Sequence, residues 1–100
     1  MLPRQTILSQ VAATPVVVDV SNIATPFNVA VFPGAGDTTK VEFSATPNAA
    51  ANPAGANWQA VTGLSAVAAA TPAYATMYGA MALRLTRTAG TGTDTVEVCS

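Results

Sequence analysis

Apolar residues in this chain fall on every second position, in runs that end after a few residues. The cleanest run is Lys40-Val41-Glu42-Phe43-Ser44-Ala45-Thr46, with Val41, Phe43 and Ala45 on one side and Lys40, Glu42 and Ser44 on the other. A period of two is that of a pleated strand with one face in a core. Thr14-Pro15, Thr25-Pro26, Thr46-Pro47 and Thr71-Pro72 punctuate the runs. Each proline lacks the N–H that a strand ladder needs, so each tends to end a strand. Their unequal spacings exclude a structural repeat.

In chain order, residues 4–12 read as a first strand, within residues 1–12 that form either an edge strand or a loose N-terminal arm. Val16-Val17-Val18-Asp19-Val20 suits a strand, because β-branched side chains fit a half-buried pleated surface. Residues 27–32 alternate with Phe27, Val29 and Val31 inward, and Pro33-Gly34-Ala35-Gly36-Asp37 closes them as a turn. That turn predicts a hairpin with residues 40–46. Residues 47–56 form a low-complexity loop of Pro, Asn, Ala and Gly, followed by a short strand over 57–61 that carries Trp58. Residues 65–70 have helix propensity. Gly63 and Pro72 leave them only about two turns, however, which is marginal for a helix. A short strand feeding the Thr71-Pro72 turn is the preferred reading.

The last third of the chain leads from residues 73–78 into a second predicted hairpin. Met81, Leu83 and Leu85 share one face, with Ala82, Arg84 and Thr86 on the other. Val96 and Val98 form the matching stripe, opposite Glu97, and Gly90-Thr91-Gly92 supplies the turn. Arg84 would then pair with Glu97 across the ribbon. About seven short antiparallel strands without a dependable helix predict one all-β domain over residues 1–100, a small β-sandwich or jelly-roll-like barrel.

Charge is the outlying quantity. Charged residues are 9% of the chain, against about 25% in ordinary soluble domains. A surface of Thr, Ser, Asn and Ala points to a homo-oligomer or larger assembly, although a neutral surface can also be soluble alone. Arg4, Lys40, Arg84 and Arg87 are the only cations, too few and too scattered for a nucleic-acid partner. No charge lies between Phe43 and Leu83, but Asn48, Asn52, Pro53, Asn57 and Pro72 interrupt that stretch. A spanning helix needs about 20 predominantly apolar residues in succession, so no membrane role is expected. The opening residues also lack the basic-then-apolar layout of a signal peptide.

The residues for chemistry are sparse. There is no histidine, and Cys99 stands alone, which excludes a Cys–His nucleophile, a zinc cluster and an intramolecular disulfide. Glu42 and Glu97 sit on the polar sides of their strands, where solvated charges belong, so they read poorly as a catalytic pair. Asp37 in Gly34-Ala35-Gly36-Asp37 is explained by turn chemistry more simply than by calcium. Neither glycine cluster completes a phosphate-binding or dinucleotide fingerprint. No catalytic, cofactor-binding or metal-ligating residue is therefore expected. Trp58, Tyr74 and Tyr78 could stack on sugars, yet such aromatics more often anchor cores and interfaces. With Arg4, on an arm that would tie one subunit to the next, they are the candidate interface residues.

Taken in order, Leu2-Pro3-Arg4-Gln5-Thr6, Thr25-Pro26-Phe27-Asn28-Val29, Lys40-Val41-Glu42-Phe43, Asn57-Trp58, Ala82-Leu83-Arg84-Leu85-Thr86 and residues 90–98 form a familiar series. It resembles the small β-rich structural proteins of tailed bacteriophages. The chain departs from that pattern in its Ala-rich segment 64–78 and in the loop after Pro47, which lacks acidic and aromatic residues. The resemblance implies a non-enzymatic virion component without a cofactor. Its first expectation is a capsid decoration or cement protein on the capsid surface, seated where major capsid protein subunits meet. The alternative is a tail or neck subunit, adaptor or fibre-associated. From a different class, a carbohydrate-binding module using Trp58 and Tyr74 is the third reading.

Overall fold

A computed structural model describes residues 4–9, as backbone, and residues 15–99. Among them nine strands form two antiparallel sheets. One sheet runs β1 (Arg4–Ser9), β9 (Asp94–Cys99), β3 (Phe27–Phe32), β7 (Ala73–Met77). The other runs β2 (Val16–Asp19), β8 (Ala82–Ala89), β4 (Thr38–Ser44), β5 (Gln59–Ala60), with β6 (Val67–Ala68) also on β4. The domain is an all-β sandwich with two strands more than the alternation alone suggests. Among the described residues no helix is long and apolar enough to cross a membrane.

The core is built by the period-two stripes. Phe27, Val29 and Val31 on β3 and Val96 and Val98 on β9 face Val41 on β4 and Leu83 and Leu85 on β8, none more than 4% exposed. Val20, Ile23, Val61, Leu64 and Val67, from the connections and β6, complete the cluster. The segment 65–70 adopts the preferred short strand, with Val67 opposite Thr39. β5 and β6 flank β4 on one side, and a turn between them gives Val41 both partners. Its N–H donates to Leu64 O at 2.9 Å, and its carbonyl accepts from Val61 N–H at 3.1 Å.

Both predicted hairpins are absent. β3 and β4 lie in different sheets, and so do β8 and β9. β8 pairs with β2 and β4, whereas β9 pairs with β1 and β3. The connections 33–37 and 90–93 therefore cross the sandwich, so the stripes they join face one another. A period of two is identical in a hairpin and in such an arch, so alternation cannot separate them. The Arg84–Glu97 pair falls with the second hairpin. Arg84 instead bonds Glu42, its cross-strand neighbour on β4.

Two inward assignments shift at strand ends. β4 stops at Ser44, which is 1% exposed, and Ala45 is exposed rather than buried. The Ser44 hydroxyl accepts from Thr46 N–H at 3.1 Å and its carbonyl accepts from Met81 N–H at 2.8 Å, so this buried polar residue is satisfied. Met81 precedes β8 and is 39% exposed. Ala82, in the opposite phase to Leu83, is also fully buried, between Asp19 on β2 and Ser44 on β4.

Candidate functional site

The four candidate interface residues occupy different places. Tyr74 on β7 alternates with Ala73 and Ala75, which pack against the core, so its ring points outward and is 75% exposed. It stands opposite Ala30, two positions along β3 from Phe32, which is 42% exposed. Aromatic side chains at such diagonal positions lie within reach of one another. Among the described outward positions of β3, β7 and β9, Glu97 is the single charge. A neutral hydrogen bond, Thr76 Oγ1 to Asn28 Oδ1 at 2.8 Å, joins β7 to β3 on this face.

Tyr78 follows β7 and is 80% exposed. It borders two shallow apolar clefts where the sheets part. One, of about 370 Å³, is lined by Phe43, Ala60, Val61 and Met77, and the other, of about 420 Å³, by Val20, Ile23, Ala45 and Met81. β7 is the last strand of its sheet, with one side on β3 and the other side without a strand partner among the described residues. Tyr74 and Phe32 are thus neighbours on the outer face near the β7 edge, whereas Tyr78 lies past the Phe27 end of the strand pair, away from Phe32. Aromatics that are both exposed and close together are a recurrent feature of docking surfaces.

Trp58 belongs elsewhere. Its indole N–H donates to Pro53 O at 2.9 Å, tying down the short 3₁₀ turn Pro53–Gly55. Arg84 lies over the ring, 4.5 Å from its centroid, and is held there by Glu42, at 2.9 Å from Nε and 2.8 Å from the second terminal nitrogen. This stack sits on the outer face of the five-stranded sheet, opposite the face that carries Tyr74. The two residues cannot form one sugar platform. Trp58→Phe, which keeps the ring and removes the donor, should cost about 1 kcal/mol. A thermal melt should show a Tm about 4–8 °C lower. Arg4 lies on β1, paired with Cys99 by register, and its side chain is outside the described residues, as is part of the expected arm over 1–12.

One constellation escaped the sequence reading. Asp37 and Asp94 are 2% and 0% exposed, one from each sheet-crossing connection or its margin. Gly92 N–H donates to Asp37 Oδ1 at 3.0 Å, and Gly34 N–H donates to Asp94 Oδ1 at 2.9 Å, so each connection is gripped by the other's carboxyl. A hydrogen bond between the two carboxyls forms only when one of them carries a proton. Burial, and then that bond, pushes Asp94 above the ordinary carboxylate range. Asp37 is lowered, first by the bond from Asp94 and then by Gly92 N–H. A signal was present: Asp94 shares the inward phase of Val96 and Val98, and Asp37 that of Thr39 and Val41. Among the described residues no group of three or more His, Cys, Asp or Glu side chains could hold a metal ion. Glu42 and Glu97 lie on outer faces of different sheets.

Compared with family models, curated proteins and solved structures, the chain matches none.

Proposed function

We propose that this domain is a non-enzymatic structural subunit of a bacteriophage virion, a decoration or cement protein that binds across junctions between major capsid subunits. The observation that carries the reading is the nearly uncharged outer face holding Tyr74 and Phe32 along the open β7 edge, with Tyr78 exposed at the end of that edge. A charge-poor surface is a liability for a free monomer and an advantage for a subunit that buries it. A rigid sandwich with exposed tyrosines suits adhesion to a protein surface, because tyrosine offers a large contact area at low cost in side-chain entropy. The resemblance of its strand motifs to phage structural proteins supplies the kind of partner. In this role the domain adds buried area across subunit boundaries and opposes outward pressure from the packaged genome.

Quantitative mass spectrometry of purified virions tests the reading. Copies in proportion to the major capsid protein are expected. A single ring's worth would place the protein in the neck or tail, and absence from particles would overturn the virion role. The face is tested separately by the double variant Tyr74→Ser/Tyr78→Ser. Both side chains are exposed, so stability should change by less than about 1 kcal/mol. Capsid affinity should fall at least roughly 30-fold, the loss expected for a tyrosine hot spot. Unchanged affinity would move the contact to another face.

A further inference from the structure

We propose that Asp37 and Asp94 hold a single proton between them, and that this proton is a latch closing one end of the sandwich. The latch joins the connection 33–37 to the connection 90–93, and losing the proton at higher pH releases it. The geometry demands a shared proton. Asp37 Oδ1 and Asp94 Oδ1 each receive a backbone N–H, from Gly92 and Gly34. The second oxygens, Asp37 Oδ2 and Asp94 Oδ2, are buried with no hydrogen-bond partner. Two ionised carboxylates can only accept, so one orphaned oxygen can satisfy the other only when an acid proton lies between them. Like charges in such contact cannot both ionise without a large penalty.

The surroundings leave little room for relief. A Cβ at Gly34 would stand 3.1 Å from Asp37 Oδ2, and one at Gly92 would stand 2.9 Å from it, so the backbone closes directly on the carboxyl. Arg87 is the other charge acting on the pair, and its guanidinium is engaged with Gly92 O at 2.9 Å. It steadies one negative charge, the state with one proton, and does not balance two. Thr39 Oγ1, buried two residues from Asp37, has no partner in the structure. The proton belongs on Asp94, which burial raises, whereas Gly92 N–H and Arg87 help to hold the charge on Asp37.

The sign of the pH dependence follows from the two directions. Asp94 is raised, so its contribution to stability is full below its unfolded pKa and is lost as pH rises through its folded one. Asp37 is lowered, so its contribution is present above its unfolded pKa and is lost as pH falls through its folded one. Stability from the pair is therefore greatest near the ordinary Asp pKa, where both contributions are present, and falls as pH rises through the raised Asp94 ionisation.

Thermal melts of the intact protein and of Asp94→Asn from about pH 4 to about pH 9 test the latch across the range where a raised carboxylate titrates. The side-chain amide of that variant keeps an acceptor for Gly34 N–H and presents a permanent N–H to Asp37. The wild-type Tm should fall by several degrees toward the alkaline end. The Asp94→Asn profile should lose that fall and lie above wild type there. A wild-type Tm that is flat or rises from mildly acidic to alkaline pH would overturn the proposal. So would alkaline wild-type protein restabilised by added calcium chloride while Asp94→Asn does not respond, since a cation would then bridge the carboxylates. Carboxyl ¹³C titration of the wild-type protein gives an answer even if the variant fails to fold. Two separated ionisation steps shared by Asp37 and Asp94 are expected, and two independent titrations near the ordinary Asp value would defeat the latch.

Discussion

Leu83→Asp is expected to leave no cooperatively folded domain. Leu83 lies on β8 between Val18 of β2 and Phe43 of β4, and is 3% exposed. Its side chain points into the gap between the sheets, against the stripes of β3 and β9. Removing a buried leucine costs about 2–5 kcal/mol through lost transfer energy and the space left behind. An unpaired carboxylate in its place adds several kcal/mol more, because the residues of the cluster packed around it are apolar. The total approaches the whole stability of an ordinary domain, about 5–15 kcal/mol. Circular dichroism should show the β signature lost and no melting transition. Thr86→Asp, on the outward face of the same strand and half-buried, is the control and should fold. A native-like melt for Leu83→Asp would mean that the stripe of Leu83 and Leu85 does not face the core.

That prediction could be made from the sequence, because burial imposes a period of two and the chain keeps it. Phe27, Val29 and Val31, and likewise Val96 and Val98, sit on the faces their spacing assigns them. What spacing does not carry is the identity of the neighbour. Val31 and Val41 have the same phase whether their strands bond edge to edge or face each other across the core. The choice is made by the connections, through Asp37 gripping Gly92 N–H and Asp94 gripping Gly34 N–H, contacts between residues 55 and 60 positions apart. No local pattern encodes a partner at that distance. The same limit applies to Arg84, whose alternatives Glu97 and Glu42 are equivalent by strand face and are distinguished only by which strands adjoin.

The aromatic residues show a different limit. Hydrophobicity treats Trp58, Tyr74 and Tyr78 alike as anchors. On β7, however, alanines take the inward positions and Tyr74 the outward one, the reverse of a side-chain assignment by size. The phase of Ala73, Ala75 and Met77 contains that result. Trp58 carries no such phase, because β5 begins after it and its place is set by a hydrogen bond to the 3₁₀ turn and by Arg84.

Gly90→Ala should be the most damaging substitution outside the core, and comparison with Gly36→Ala shows why. Both glycines have positive φ, +94° and +78°. An L-residue there costs about 1–2 kcal/mol from its own backbone clash, whatever surrounds it. At Gly36 a Cβ meets nothing within 4 Å, so that cost is the whole effect. At Gly90 the Cβ would overlap Asp37 Oδ1 and stand 2.7 Å from Asp37 Cα. A carboxyl oxygen can rotate aside, but the Cα moves only with its backbone. The two sheet-crossing connections would have to separate, which strains the Gly92 N–H bond to Asp37 and opens the acid pair to water. Overpacking of this kind adds about 1–3 kcal/mol, for a total of about 2–5 kcal/mol. In a domain of this size each kcal/mol shifts Tm by about 4–8 °C. Gly90→Ala should therefore melt well over 10 °C below wild type, about twice the loss seen for Gly36→Ala. Because the approach is to Asp37, Gly90→Ala should also flatten the alkaline fall in Tm that the intact pair produces. Equal losses at the two glycines, with the pH profile unchanged, would show that the connections do not close on each other at Asp37.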